Sequence, residues 1–180
     1  MSQLSIYHLT DKHTPVYKTD VHHEITVQLE KIAVRFERWQ ASSLINEQTS
    51  NEEILTAYQH DIQRLKNESG YCAVDVISLT KGNPNAAQLR EKFLFEHTHS
   101  EDEVRFFVAG QGLFCLHIHD KVYQVLCQLG DLISVPANTP HWFDMGSDPE
   151  FTAIRLFNNE AGWVAQATQS PIAKEFPLLD

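Results

Sequence analysis

Little in this sequence is basic. Fourteen lysines and arginines stand against twenty-four aspartates and glutamates, a formal charge of −10. Nucleic acid and anionic bilayers both reward a clustered basic surface, and the chain has no such cluster, so neither is expected as a partner. Cysteine is scarce too. Cys72, Cys115 and Cys127 form no C-x-x-C pair, and three thiols cannot all be bridged. All three stand in apolar, strand-like surroundings, so the expectation is reduced, buried thiols in a cytoplasmic protein rather than ligands or nucleophiles. The opening "MSQLSIYHLTDKHTPVYK" lacks a basic n-region and an apolar h-region, and no apolar run approaches bilayer length, which points to a soluble chain. Internal repeats, low-complexity segments and linkers are missing as well. What is there has ordinary globular composition, in 180 residues that suffice to bury one real core. The reading is a single domain over 1–180, a monomer, with a small molecule as its partner.

Local patterns divide the chain into a mixed first part and a β-rich second part. Residues 20–31 read as a helix with Asp20 as N-cap and Ile25, Leu29 and Ile32 on one stripe. "VRFERW" at 34–39 alternates as a strand does. A stronger helix is predicted over 51–67, with Ser50 and Glu53 as a capping box, Ile54, Leu55, Tyr58, Ile62 and Leu65 on one face, and Gly70 closing it. "CAVDVISLT" at 72–80 reads as a strand and 83–93 as a short helix. From residue 94 on, "VRFFVA", "LFCLHIH", "VYQVLCQL", "DLISVPA", "HWFDM" and "FTAIRLFN" are separated by Gly, Pro, Asn or Asp at nearly regular intervals, the mark of an antiparallel barrel or sandwich.

Two histidine pairs of identical spacing fall in this part, His97/His99 and His117/His119. In "HTHSEDE", His97, His99 and Glu103 are even numbers of residues apart and would project to one side of an extended segment. Glu101 sits in a local bend and Asp102 has the wrong parity, which leaves Glu103 as the preferred carboxylate. Downstream, "GDLISVPANTPHW" uses Pro136, Asn138 and Pro140 to enforce a turn that delivers His141 at the entrance of another strand. Three imidazoles and one carboxylate would suit a six-coordinate divalent metal better than a closed tetrahedral zinc site. "HIHD" runs instead into a hairpin turn, with Tyr123 where a carboxylate would be needed. His117 and His119 are therefore expected to face solvent or the strand edge.

"HTHSEDE" with Gly110 beyond it, and "GDLISVPANTPH", resemble the two cupin motifs, with Asn138 and Glu91 where the superfamily commonly has glycine. More narrowly, "KFLFEHTHSEDEVRFFVAGQG", "DLISVPANTPHWFDMG" and "FTAIRLF" are similar to the acireductone dioxygenases of bacterial type. The resemblance implies an all-β core with added helices: a cupin jelly-roll β-barrel (double-stranded β-helix) over 71–158, preceded by an elaboration over 1–70 and followed by a tail over 159–180. It implies one Fe2+ or Ni2+ per chain, held by His97, His99, Glu103 and His141. The reaction implied is O2 cleavage of the enediol 1,2-dihydroxy-3-keto-5-methylthiopentene in methionine salvage. Iron would give formate and 4-methylthio-2-oxobutanoate; nickel would give formate, CO and 3-methylthiopropionate.

Alternation puts Glu103, Arg105 and Phe107 on one face, Phe93 and Phe95 with His97, and Arg155 with Phe151, Ala153 and Phe157. A guanidinium among aromatic rings is costly if unpaired, so Arg105 and Arg155 are each answered by a protein carboxylate or by a ligand. The resemblance places them beside an anionic substrate, as the catalytic arginines. Phe93, Phe143 and Trp163 could wall the thioether tail or simply fill the barrel. Two rival functions are a cupin isomerase of a sugar phosphate, which would want more basic residues than these two arginines, and a metabolite-binding cupin without oxygenase activity.

Overall fold

The computed structural model describes residues 1–41, 43–159 and 164–180. In chain order it runs β1 (Gln3–His8), β2 (Tyr17–Thr19), α1 (His22–Glu30), β3 (Arg35–Arg38), α2 (Asn51–Ala57), α3 (Gln59–Ser69), β4 (Ala73–Leu79), α4 (Ala86–Phe93), β5 (His97–Thr98), β6 (Glu103–Ile118), β7 (Lys121–Gln128), β8 (Asp131–Val135), β9 (His141–Asp144), β10 (Phe151–Phe157), β11 (Gln166–Ala167) and a 3-10 helix at Ile172–Lys174. Two antiparallel sheets share β6. Its first half pairs with β10 and β8, its second half with β7 and β9. One sheet thus runs β4-β10-β6-β8-β3 and the other β11-β5-β9-β6-β7-β1-β2. Closed on each other through the shared strand, they form the jelly-roll barrel of the cupin fold, with the helices outside. Among the described residues no helix is long and apolar enough to cross a membrane.

The shared strand explains why "VRFFVA" and "LFCLHIH" are not the two strands that AGQG seemed to separate. They are one strand that changes sheets at Gly110. Phe107 points into the barrel core with Phe114, Phe143, Phe151, Ile133 and Val135, while Val104, Phe106 and Val108 pack outward under α2 and α3. Beyond Gly110 the parity is reversed: Phe114 and Leu116 face in, and Leu113 and Cys115 face out. A bulge between Thr152 and Ala153 in the β10 register and a φ of 65° at Gly110 accomplish the switch. Only glycine fits there, because a Cβ would stand 1.8 Å from the Glu150 carbonyl oxygen.

The helices depart from their sequence patterns in instructive ways. α1 starts at His22 with Val21 at the N-cap and no side-chain cap, so Asp20 does not cap it. The expected long helix has the capping box of Ser50 and Glu53 and the left-handed Gly70 at its end, but it breaks at Tyr58, where φ and ψ are −107° and 17°. The break lets the buried Tyr58 ring meet Phe106 edge-on at 5.3 Å. α4 begins three residues later than expected, at Ala86, and its Arg90 grips the buried Asp144 at 2.7 and 2.9 Å.

The sheets also take no account of the boundaries drawn at residues 70 and 158. β1 and β3 pair with β7 and β8 inside the two sheets, and β11 pairs with β5. The tail is docked rather than loose: Phe176 lies against Tyr7 and Trp142, and Leu179 donates its N–H to Asp144 at 2.9 Å. Cys115 and Cys127 are buried as expected, but Cys72 is exposed, because it precedes β4 and lies outside the pleat.

Candidate metal centre

"HTHSEDE" does not stay extended. After β5 the chain bends at residues 100 and 101, and Glu103 opens a different strand. The bend nevertheless folds the side chains together. His97 on β5 stands opposite His141 on β9, and the ligating nitrogens of His97, His99 and His141, all buried, lie within 4.8 Å of one another. Each ring is held from behind by a backbone carbonyl on Nδ1: Phe95 at 2.8 Å for His97, Val164 at 3.3 Å for His99, and Thr139 at 2.7 Å for His141. A carbonyl only accepts, so Nδ1 carries the proton and Nε2 presents its lone pair. Burial, then the neighbouring His141, pushes His97 down to about 4. His99 is also lowered, chiefly by burial.

Glu103 is almost wholly buried. Burial alone would raise its carboxyl, but the Arg105 guanidinium and then His141 overcome that and hold it well below the usual carboxylate range. Its Oε2 lies 3.2 Å from His141 Nε2 and 3.6 Å from His99 Nε2. Nδ1 of His141 is committed to Thr139, so the contact between its Nε2 and the carboxylate is bridged either by a second ring proton or by a divalent cation standing in that proton's place. The donor set therefore fits a metal ion.

Around this core stand the two arginines. Arg105 gives Nε to Glu103 Oε1 at 2.8 Å and lies 4.8 Å and 4.6 Å over the Phe114 and Phe143 rings, while its Nη1 is buried without a partner among the described residues. Burial pushes this guanidinium down from its ordinary value, with Glu103 opposing. Arg155 is paired with Asp75 on β4, Nε to Oδ1 at 2.9 Å. Phe143 is fully buried among Phe93, Phe107, Phe114 and Phe151 and fills the barrel. Phe93 belongs to α4, not to a strand shared with His97, and meets Phe143 edge-on at 6.4 Å. Trp163 lies outside the described residues. Asp102 accepts from the Ala137 N–H and Glu101 from Asn159, each at 2.8 Å, so both brace loops.

His117 corrects an expectation. Odd-numbered residues point outward after Gly110, yet His117 is only partly exposed there and is not free: its Nδ1 lies 2.6 Å from the buried Glu96 carboxylate, which also accepts from Thr168 at 2.5 Å. His119, in the left-handed turn with φ 56°, is exposed. Glu96 and Asp75 were the functional-looking residues that pattern reading passed over. For Asp75 the signal was present, a lone acid inside the apolar run "CAVDVISLT"; for Glu96, whose partners are 21 and 72 residues away, there was none.

A jelly-roll barrel holding inward imidazoles with a carboxylate defines a metal-binding cupin. A family model described as the ARD/ARD' family matches residues 5–165. Curated relatives named acireductone dioxygenase include one from Klebsiella pneumoniae, 57% identical over 99% of both chains, and one from Pseudomonas paraeruginosa, 55% identical over 100% of this chain and 99% of its own. The solved structure of acireductone dioxygenase from Bacillus anthracis, with a cadmium ion in its active centre, is 34% identical and superimposes with a TM-score of 0.79 over 92% of this chain and 97% of that one. The chain belongs to the ARD/ARD' family, the acireductone dioxygenases, and is a metal-dependent dioxygenase of methionine salvage.

Proposed function

We propose that this dioxygenase cleaves 1,2-dihydroxy-3-keto-5-methylthiopentene with O2, using one Fe2+ or Ni2+ held by His97, His99, Glu103 and His141. The observation that carries the ligand assignment is the locked tautomer: three Nδ1–H groups tied to carbonyls turn three Nε2 lone pairs toward one point beside Glu103. Four protein donors leave a six-coordinate ion two positions for a bidentate oxygen chelator. When bound, the ion supplies Lewis acidity toward an enediolate.

The protein's own contribution is orientation and charge. Arg105, held by Glu103 and short of one hydrogen-bond acceptor, offers Nη1 to a substrate oxygen. Arg155 adds a second positive charge on the neighbouring strand. Buried Phe114, Phe143 and Phe157 exclude water from the face the substrate meets, and Phe93 and Trp163 are assigned to the thioether tail. The reading places the enzyme in the cytoplasm, as a monomer acting on a small molecule.

Anaerobic reconstitution with Fe2+ or Ni2+, followed by O2 uptake and product analysis, tests the reading. Formate should form with both metals, accompanied by the keto acid with iron and by CO with nickel. No loss of the enediol with either metal would refute it. Arg155→Ala should weaken substrate binding while metal content stays at the wild-type level; loss of the fold instead would mean that the arginine is structural.

A further inference from the structure

A row of charges crosses the barrel-facing side of the sheet that contains β4 and β10. Asp75 on β4 stands opposite Arg155 on β10, and Arg155 opposite Arg105 on β6. Arg105 reaches along its own strand to Glu103. Like charges directly opposite on neighbouring strands repel, and each arginine here is drawn to a carboxylate at its own end of the row. Glu103 does this at the metal end. At the other end Asp75 takes both Nε and Nη2 of Arg155, at 2.9 and 2.5 Å, a two-point grip that fixes the plane of the guanidinium. Neither the ligand set nor the aromatic wall makes use of Asp75.

We propose that Asp75 is a positioning residue, holding Arg155 in the plane from which it meets an anionic, bidentate oxygen substrate. The inference rests on the enediolate reading of the site. With two arginines matched by two carboxylates and the imidazoles neutral, the site carries the charge of its ion alone, which a dianion cancels. Charge and positioning then make opposite predictions. Removing the Asp75 carboxylate makes the site more positive and on charge alone should tighten anion binding. If Asp75 acts by orienting Arg155, the same change should weaken it.

The test uses oxalate, a bidentate dianion, titrated calorimetrically into the anaerobic Ni2+-loaded protein, alongside steady-state kinetics on the enediol. Asp75→Ala and the isosteric Asp75→Asn should keep full metal content. Asp75→Ala should lose about tenfold in oxalate affinity and raise KM by a similar factor with little change in kcat, and Asp75→Asn, which retains one acceptor, should lose less. Asp75→Glu should restore most of the loss. Asp75→Ala combined with Arg155→Ala should be no worse than Arg155→Ala alone. Unchanged or tighter oxalate binding in both Asp75 variants overturns the proposal, as does a loss that adds in full to that of Arg155→Ala. If the wild type fails to consume the enediol, the proposed reaction falls, while the oxalate series still decides the role of Asp75.

Discussion

What distinguishes the two H-x-H pairs is the partner behind each ring. His97, His99 and His141 have carbonyls on Nδ1 and so turn an unprotonated Nε2 inward. His117 has a carboxylate on Nδ1 and faces out of the barrel. His141→Ala should therefore abolish tight metal binding, read as metal content after desalting, while His117→Ala should keep the full complement. The reverse pattern would sink the ligand assignment. His117→Ala should carry a different penalty: it strips a partner from Glu96, which is buried, at a cost of about 1–3 kcal/mol of unfolding free energy in denaturant titration. Because Glu96 keeps Thr168, a value near the lower end is expected.

Among the elements, β6 sets the geometry of everything else, and its sheet switch depends on one residue. Gly110→Ala would add a Cβ 1.8 Å from the Glu150 carbonyl oxygen at a φ of 65°. Strain at such a position costs on the order of 1–3 kcal/mol before the clash is counted, so the melting temperature should fall by roughly 5–10 °C. A drop of under a degree would show that the switch does not rely on glycine. The strand pattern and the capping box at Ser50 could be read from the sequence, because period and turn chemistry are local, while the ligand candidates His97, His99, Glu103 and His141 rest on motif resemblance. The switch could not: "AGQG" looks the same whether it makes a hairpin or a bulge, and only the partners of the flanking residues decide. Even-number spacing did not bring His97, His99 and Glu103 together either. The bend at residues 100 and 101 undoes the parity, and pairing of β5 with β9 restores the convergence. β11 escaped pattern reading because two exposed residues carry no periodicity.

For the whole molecule, metal occupancy and pH should be coupled through the buried histidines. The metal-free protein holds His97 with a pKa of about 4, against 6.5 for the exposed side chain, and lowers His99 in the same direction. Between those two values the unfolded chain binds a proton that the folded chain refuses, so stability rises with pH across the window. Above about 6.5 the two states bind protons alike at these sites and the contribution levels off. As pH falls from 6.5 toward 4, the metal-free protein should therefore lose stability, by a few kcal/mol in all, on the order of what a shift of this size implies. Glu103 adds to the loss at the acid end of this range, because the unfolded chain begins to bind a proton near 4.5 that the folded carboxyl, held well below that value, refuses. A bound divalent ion should add stability that grows with its free concentration and should itself be lost more readily in acid, because its ligands must stay unprotonated. Thermal melts of chelator-treated and metal-loaded protein across this range check both statements. A metal-free melting temperature that stays flat from pH 6.5 to 4, or rises as the solution is acidified, would mean that the His97 and His99 rings do not sit neutral before the metal arrives.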